Sequence, residues 1–255
     1  MKGAKMAVSA LIAAAFALAA AQGPPADALW LKAVDVARQA EKSGIKARSV
    51  TIETVVKKGS GAIEHTSKVV MRLPEDGDDD SPAEVVSAVE DGKDMTQEAK
   101  KAEEEGRRRK KANGGKDPDD TITINLGYHP FSPKSQDQVT ARRDGSVMLE
   151  GRPAVLYSFS QAAPSGKSAV KGKAWLDPES GAPLQVEASP DPLPRFVSKM
   201  TTTVMFEVAP GGQWRPKSST IRGEGGFLFY HRLVESDVVF SDFGFKPVTE
   251  KQLVH

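Results

Sequence analysis

The sequence has no cysteine. That absence excludes disulfides, thiol nucleophiles, thiolate metal sites and a diacylated N-terminal cysteine. Histidine is scarce: His65, His129, His231 and His255 are the only four, and their spacing fits no metal site. Aromatic residues make up only 6% of the chain, so each Trp or Phe at an apolar position is read first as core. Net charge is also nearly missing. The formal value is +1, and setting Lys2 and Lys5 aside lowers the 35 basic residues to 33, against 34 acidic ones. So even a balance argues against nucleic acid as a partner. Long apolar runs are confined to the start. Residues 6–20 are apolar behind Lys2 and Lys5, and Ala19-Ala20-Ala21 offers a small-residue cleavage site before Gln22. Residues 1–21 therefore read as a secretory signal peptide, and the protein is expected to be periplasmic or otherwise exported, and soluble after cleavage.

The remaining residues, 22–255, have an ordinary globular composition, the whole chain being 39% hydrophobic and 27% charged. They are expected to form a single domain. Asp27 stands before Trp30, Ala33, Val34 and Ala37 at helical spacing, widened by Leu29, Val36 and Ala40, and Gly44 ends the pattern. The period then drops to two. Val50, Ile52, Thr54 and Val56, the turn Gly59-Ser60-Gly61, and Ile63 to Leu73 predict a hairpin, with a further short strand at residues 85–89.

Residues 94–116 are polar almost all round, with acidic residues before Arg107, Arg108, Arg109, Lys110 and Lys111. This segment reads as a charged helical or disordered insertion whose basic end offers a contact for membrane headgroups or an envelope protein. The acidic run at 75–80 lacks the spacing of a calcium loop and reads as a solvated turn. Residues 121–124 read as a short strand, and the aromatics of Tyr128-His129-Pro130-Phe131 as a plug for one end of the sheet. Residues 139–142 and 147–149 are expected to flank a turn at Asp144-Gly145, before a central strand at 155–159.

The longest coherent stretch runs over residues 169–243. Strand 170–176 meets the turn Asp177-Pro178-Glu179-Ser180-Gly181, and Leu184 to Glu187 returns beside it. After the proline-rich bend at 190–194, Thr202, Val204, Phe206 and Val208 share a face before Pro210-Gly211-Gly212. Two runs, 227–234 and 238–243, complete the series. Val170, Ala174, Leu176, Leu184, Val186, Val204, Phe206, Phe227 and Phe229 fall on the apolar parity and are the candidates for a concave ligand face, with Lys171, Lys173, Gln185 and Glu187 outward.

No catalytic set accompanies this sheet. Ser165-Gly166-Lys167-Ser168 ends like a phosphate loop, but Gln161 stands where its first glycine belongs, and Gly59-Ser60-Gly61 is a hairpin turn rather than a nucleophile elbow. The protein is read as a non-enzyme without cofactor or metal.

The block Gly-x-x-Trp-Leu-Asp-Pro-Glu-Ser-Gly-Ala-Pro-Leu at 172–184 and the closing Gly-Gly-Phe-Leu-Phe and Phe-Ser-Asp-Phe at 225–243 complete a pattern with the leader, the amphipathic helix and the Gly-rich hairpin. Together they resemble the bacterial outer-membrane lipoprotein-sorting (LolA/LolB-like) superfamily. The resemblance implies an α+β, mainly antiparallel fold: an incomplete β-barrel, or curved sheet, around an apolar cavity, with the N-terminal helix and the charged insertion covering or flanking it. It also implies a periplasmic carrier or binding protein for lipoprotein acyl chains or another lipid-like ligand. The alternative from the residues is a non-catalytic envelope structural or interaction module whose core is filled. The sequence departs from the superfamily in the charged insertion. Cleavage after Ala21 has a direct consequence: mass spectrometry of exported protein should find Gln22 at the N-terminus, and intact Met1 in a membrane fraction would show an anchor instead.

Overall fold

The computed structural model describes residues 27–74, 83–112, 129–162, 169–227 and 230–245. The expected leader, the acidic run 75–80, the short strand at 121–124, Tyr128 and the phosphate-loop lookalike 165–168 lie outside these residues. Helix α1 spans Ala28–Ser43. Asp27 is its N-cap, Oδ1 accepting the Leu29 N–H at 2.8 Å, and Gly44 at φ 66° closes it in the left-handed conformation that glycine adopts without strain. Its buried stripe is Trp30, Ala33, Val34 and Ala37, as the 3.6-residue period requires.

The strands are β1 (Ile45–Lys58), β2 (Ile63–Arg72), β3 (Glu84–Glu90), β4 (Lys93–Asp94), β5 (Val139–Leu149), β6 (Arg152–Ala162), β7 (Ala169–Leu176), β8 (Pro183–Asp191), β9 (Val197–Val208), β10 (Trp214–Phe227) and β11 (Tyr230–Phe245). They form one antiparallel sheet in the order β4-β3-β2-β1-β11-β10-β9-β8-β7-β6-β5. The sheet is curved and does not close, since β4 and β5 are both edges, and this is the expected half-barrel. Chain order is broken once, where β11 returns to pair with β1 along residues 45–58 and joins the two hairpin series.

Three expectations are corrected. Asp144-Gly145 is not a turn but a bulge within the single strand β5, where the register against β6 shifts between Arg143 and Gly145. The extra residue, Asp144, bonds Arg142 and Ser158, so a turn-like dipeptide is spent on local bending. The 155–159 strand lies second from the edge rather than at the centre, and its buried residues face α1. The runs 227–234 and 238–243 are not two strands. The first is divided between the end of β10 and the start of β11, and the second lies within β11. Meanwhile the polar stretch 214–226, which has little apolar alternation, forms the whole of β10.

Helix α2 (Thr96–Ala112) carries the charged insertion and flanks β3. Thr96 Oγ1 accepts the Ala88 N–H and Glu103 accepts the Val85 N–H, so the helix seals backbone donors near one sheet edge. The outer face of the sheet carries cross-strand charge pairs, among them Arg222 with Glu235 and Lys68 with Glu53.

The 172–184 block has a physical basis. A Cβ on Gly172 would collide with the Glu187 carbonyl oxygen and stand 2.7 Å from Phe159 Cζ, because that ring lies across the glycine. Gly181, at φ 75°, would place a Cβ 2.6 Å from Lys32 Cβ, so the β7–β8 turn docks closely on α1. Burial alone would raise the Asp177 pKa, but the Ser180 N–H and hydroxyl, Arg152 and the Glu179 N–H more than offset it and hold it at about 2. Gly172→Ala forces backbone or Phe159 to move and should lower stability by roughly 2–3 kcal/mol in chemical denaturation. An unchanged midpoint would show that the close approach is not constraining.

Candidate functional site

The face of the sheet that carries α1 is the inner one. Its main register line runs Tyr157, Ala174, Val186, Val204, Ser219, Val238, Ile52, Val69, Ala88 across nine strands. A second line runs Phe159, Gly172, Ala188, Thr202, Ile221, Ser236, Thr54, Ser67. The first line is apolar on both sides of Ser219, whereas the second passes from Phe159, Gly172 and Ala188 to Ile221 among the hydroxyls of Thr202, Ser236, Thr54 and Ser67.

Trp30 fixes the covered part. Its ring centroid lies 4.8 Å from that of Phe131 and 5.4 Å from that of Tyr157, and its Nε1 donates to Gln136 Oε1 at 3.1 Å. Gln136 in turn donates to the Pro130 and Ser132 carbonyls, which holds the 129–132 turn against the helix. Tyr157 donates to Asp27 Oδ1 at 2.6 Å, with Arg143 nearby at 3.8 Å. The Tyr157 hydrogen bond is the main reason that the Asp27 carboxyl titrates below its ordinary value; burial opposes it, while the Leu29 N–H and Arg143 assist.

The candidate ligand residues are distributed unequally. Ala174, Leu176, Leu184, Val186, Val204 and Phe206 are buried, and all but Leu184 belong to the core cluster beneath α1. Val170 packs at its margin. The Phe227 side chain and all of Phe229 lie outside the described residues. The covered inner face is thus filled by Trp30, Ala33, Val34, Ala37 and Phe131. Of the residues expected to plug one end of the sheet, Phe131 lies in the core cluster against Trp30, with the His129 ring stacked on it.

Open space lies at the helix end. A cleft of about 410 Å³ is bounded by Val36, Gln39, Ala40 and Ser43 of α1, by Ser180 and Ala182 of the β7–β8 turn, and by Val208, Gln213 and Trp214 around the β9–β10 turn. Its volume is in the range of small-molecule sites. Val208 is 58% exposed here, and Trp214 stacks on Phe206 at 4.5 Å while its Nε1 bonds the Pro183 carbonyl. The parity of Val204, Phe206 and Val208 reaches this cleft in the sequence. Trp214, Ala182 and Gln213 were missed, because each follows a turn that hides its facing.

A second groove of about 310 Å³ on the outer face is lined by Lys57, Lys199, Arg222, Glu187, Glu224 and Glu235. Leu233 and Val234 supply its apolar wall, and its charges are paired as Arg222–Glu235, Lys199–Glu224 and Lys57–Glu235. Among the described residues no group of three or more His, Asp and Glu could hold a metal, and no helix is long and apolar enough to cross a membrane. In the basic run, Arg107, Arg108 and Arg109 have Glu103, Glu104 and Glu105 one turn earlier.

No family model matches the chain, and no curated protein matches it. Solved structures do. A domain described as outer membrane lipoprotein-sorting, from Vibrio parahaemolyticus, aligns over 88% of this chain and 96% of its own at 12% identity and a TM-score of 0.40. A DUF1329 family protein from Desulfovibrio piger aligns over 88% and 95% at 10% identity and a TM-score of 0.36. The lipoprotein LppX from Mycobacterium tuberculosis aligns over 87% and 97% at 10% identity and a TM-score of 0.29.

His129 lies where the filled core meets the cleft. Its ring stacks on Phe131 and stands edge-on to Phe206 and Trp214, and Nδ1 accepts the Phe131 N–H at 3.3 Å. Burial lowers its pKa from 6.5 to about 4. Between those values the unfolded chain binds a proton that the folded chain excludes, so stability is full above pH 6.5 and falls as pH drops toward 4. The loss should be roughly 2–3 kcal/mol, read as a fall in denaturation midpoint that His129→Phe removes. An equal fall in both proteins would assign the acid sensitivity elsewhere.

Proposed function

We propose that the protein is a non-catalytic carrier or binding protein of the cell envelope, taking an apolar, chain-like ligand on its inner face by way of the cleft beside α1. The observation that supports this is the cleft itself. Val36, Ala40, Ala182, Val208 and Trp214 continue the apolar inner face out to solvent at the place where the helix stops covering it. Each methylene that leaves water there contributes about 0.8 kcal/mol, so a few turns of hydrocarbon chain suffice for measurable binding. Deeper seating requires α1 to shift, and the helix is built for tight but shallow contact: two of its four buried residues are alanines. The basic end of α2, Arg107 to Lys111, is the accompanying proposal for contact with anionic headgroups, with its charge reduced by the glutamates one turn earlier.

A filled-core interaction module is the second reading, favoured by the complete burial of Ala174, Leu176 and Val186. The two are separated at the cleft and not in the core. Phe206→Glu would bury a charge against Trp214 and unfold the protein, which says nothing about ligand. Ala40→Trp fills the cleft from the partly exposed side of α1. It should leave the unfolding midpoint within about 1 kcal/mol of the original while removing at least most of the fluorescence enhancement of an apolar probe. Probe binding that survives the substitution, or wild-type protein that ignores the probe and is purified free of lipid, would leave the interaction module.

A further inference from the structure

Ser219 Oγ is the one buried side-chain polar atom without a hydrogen-bond partner among the described residues. The residue is 1% exposed and sits on the inner face between Val204 and Val238 in register, with Ile221 two places along β10. Several polar groups on this face are matched: Tyr157 with Asp27, Trp30 with Gln136, Trp214 with the Pro183 carbonyl, and Thr54 with Ser236 at 2.9 Å. An unmatched hydroxyl in such surroundings destabilises the fold, whereas alanine at the same place would not. Ser219 therefore stands at a point where stability alone favours an apolar side chain.

We propose that Ser219 is the polar anchor of the ligand, donating its hydroxyl hydrogen to the carbonyl oxygen of an esterified acyl chain. This rests on the reading of the inner face as a ligand site. The neighbouring side chains in both register lines, Val186, Val204, Val238, Ala188, Thr202, Ile221, Ser236 and Thr54, carry no cation. A free fatty acid would leave its carboxylate buried with one hydroxyl and no counter-charge, at a large desolvation cost. A plain hydrocarbon would leave the hydroxyl unmatched. An ester carbonyl is a neutral acceptor that satisfies it. From Ser219 the same strand leads to Trp214 at the cleft, on the order of 15 Å away, which is within the reach of a long acyl chain.

The test is displacement of an apolar fluorophore from wild type and Ser219→Ala by methyl palmitate, palmitic acid and hexadecane. Wild type should bind methyl palmitate more tightly than either of the others. Ser219→Ala should melt at higher temperature, keep its affinity for the fluorophore and hexadecane, and lose roughly fivefold in affinity for the ester. A phospholipid and a diacylglyceryl-cysteine peptide, which share this ester, are then compared; the one whose binding falls in Ser219→Ala is the source of the chain. An ester preference that survives the substitution, a lower melting temperature in Ser219→Ala, or tighter binding of palmitic acid overturns the proposal. Equal displacement of the fluorophore from wild type by ester and hexadecane overturns it while leaving the binding function standing. Failure of every ligand to displace the fluorophore overturns both.

Discussion

The seating of Trp30 on the sheet is the interaction on which the rest of the molecule depends. An unclosed sheet of eleven strands leaves one apolar face without a partner, and a helix that brings a single large aromatic to it settles which part is core. Burying a side chain of this size contributes roughly 3 kcal/mol, and its tilted contacts with Phe131, Tyr157 and Phe159 add direction to that burial. The Asp27 cap then does two jobs. It starts the helix and takes the Tyr157 hydroxyl, so the helix is fixed to the sheet at the same point where it is nucleated.

Everything at the candidate site follows from how far that helix reaches. Its N-terminal half is held by Trp30, by Asp27 and by the β7–β8 turn through Gly181 and Lys32. Its C-terminal half has no such aromatic anchor, and Val36 and Ala40 are only partly covered. Support that is strong at one end and weak at the other puts the cleft beside the weakly held end. His129 stands between the two regimes, a neutral ring among aromatics, where a charged or larger polar group would separate Phe131 from Trp214.

The sheet was largely legible from period and turn chemistry. Alternation at Val50 to Val56 and at Thr202 to Val208, with Gly59-Ser60-Gly61 and Pro210-Gly211-Gly212 between runs, placed strands and hairpins because those signals are local. β10 was not legible. Arg215, Lys217, Arg222 and Glu224 face outward or pair across strands, while Ser219, Gly223 and Gly225 on the inner side leave Ile221 without an apolar alternation around it. Asp144-Gly145 misled for a related reason: a bulge and a turn use the same residues, and only the partner strand decides between them. The parity that named Ala174, Leu176, Val186, Val204 and Phe206 was right about their sharing a face. It could not say whether that face was open, because the residue that fills it, Phe131, is joined to them by no local signal.

The inner face is not uniform along its register lines. The register line that begins Tyr157, Ala174, Val186, Val204 stays aliphatic through β11, β1, β2 and β3 and is broken only at Ser219 on β10. The neighbouring line is the one that gathers hydroxyls, at Thr202, Ser236, Thr54 and Ser67. Hydroxyls pair with one another at modest net gain, as Thr54 and Ser236 do, and alone they weaken the fold. The inner face thus keeps aliphatic packing on both sides of a single fully buried hydroxyl, Ser219 between Val204 and Val238, and that hydroxyl is the point where the packing departs from what stability alone favours.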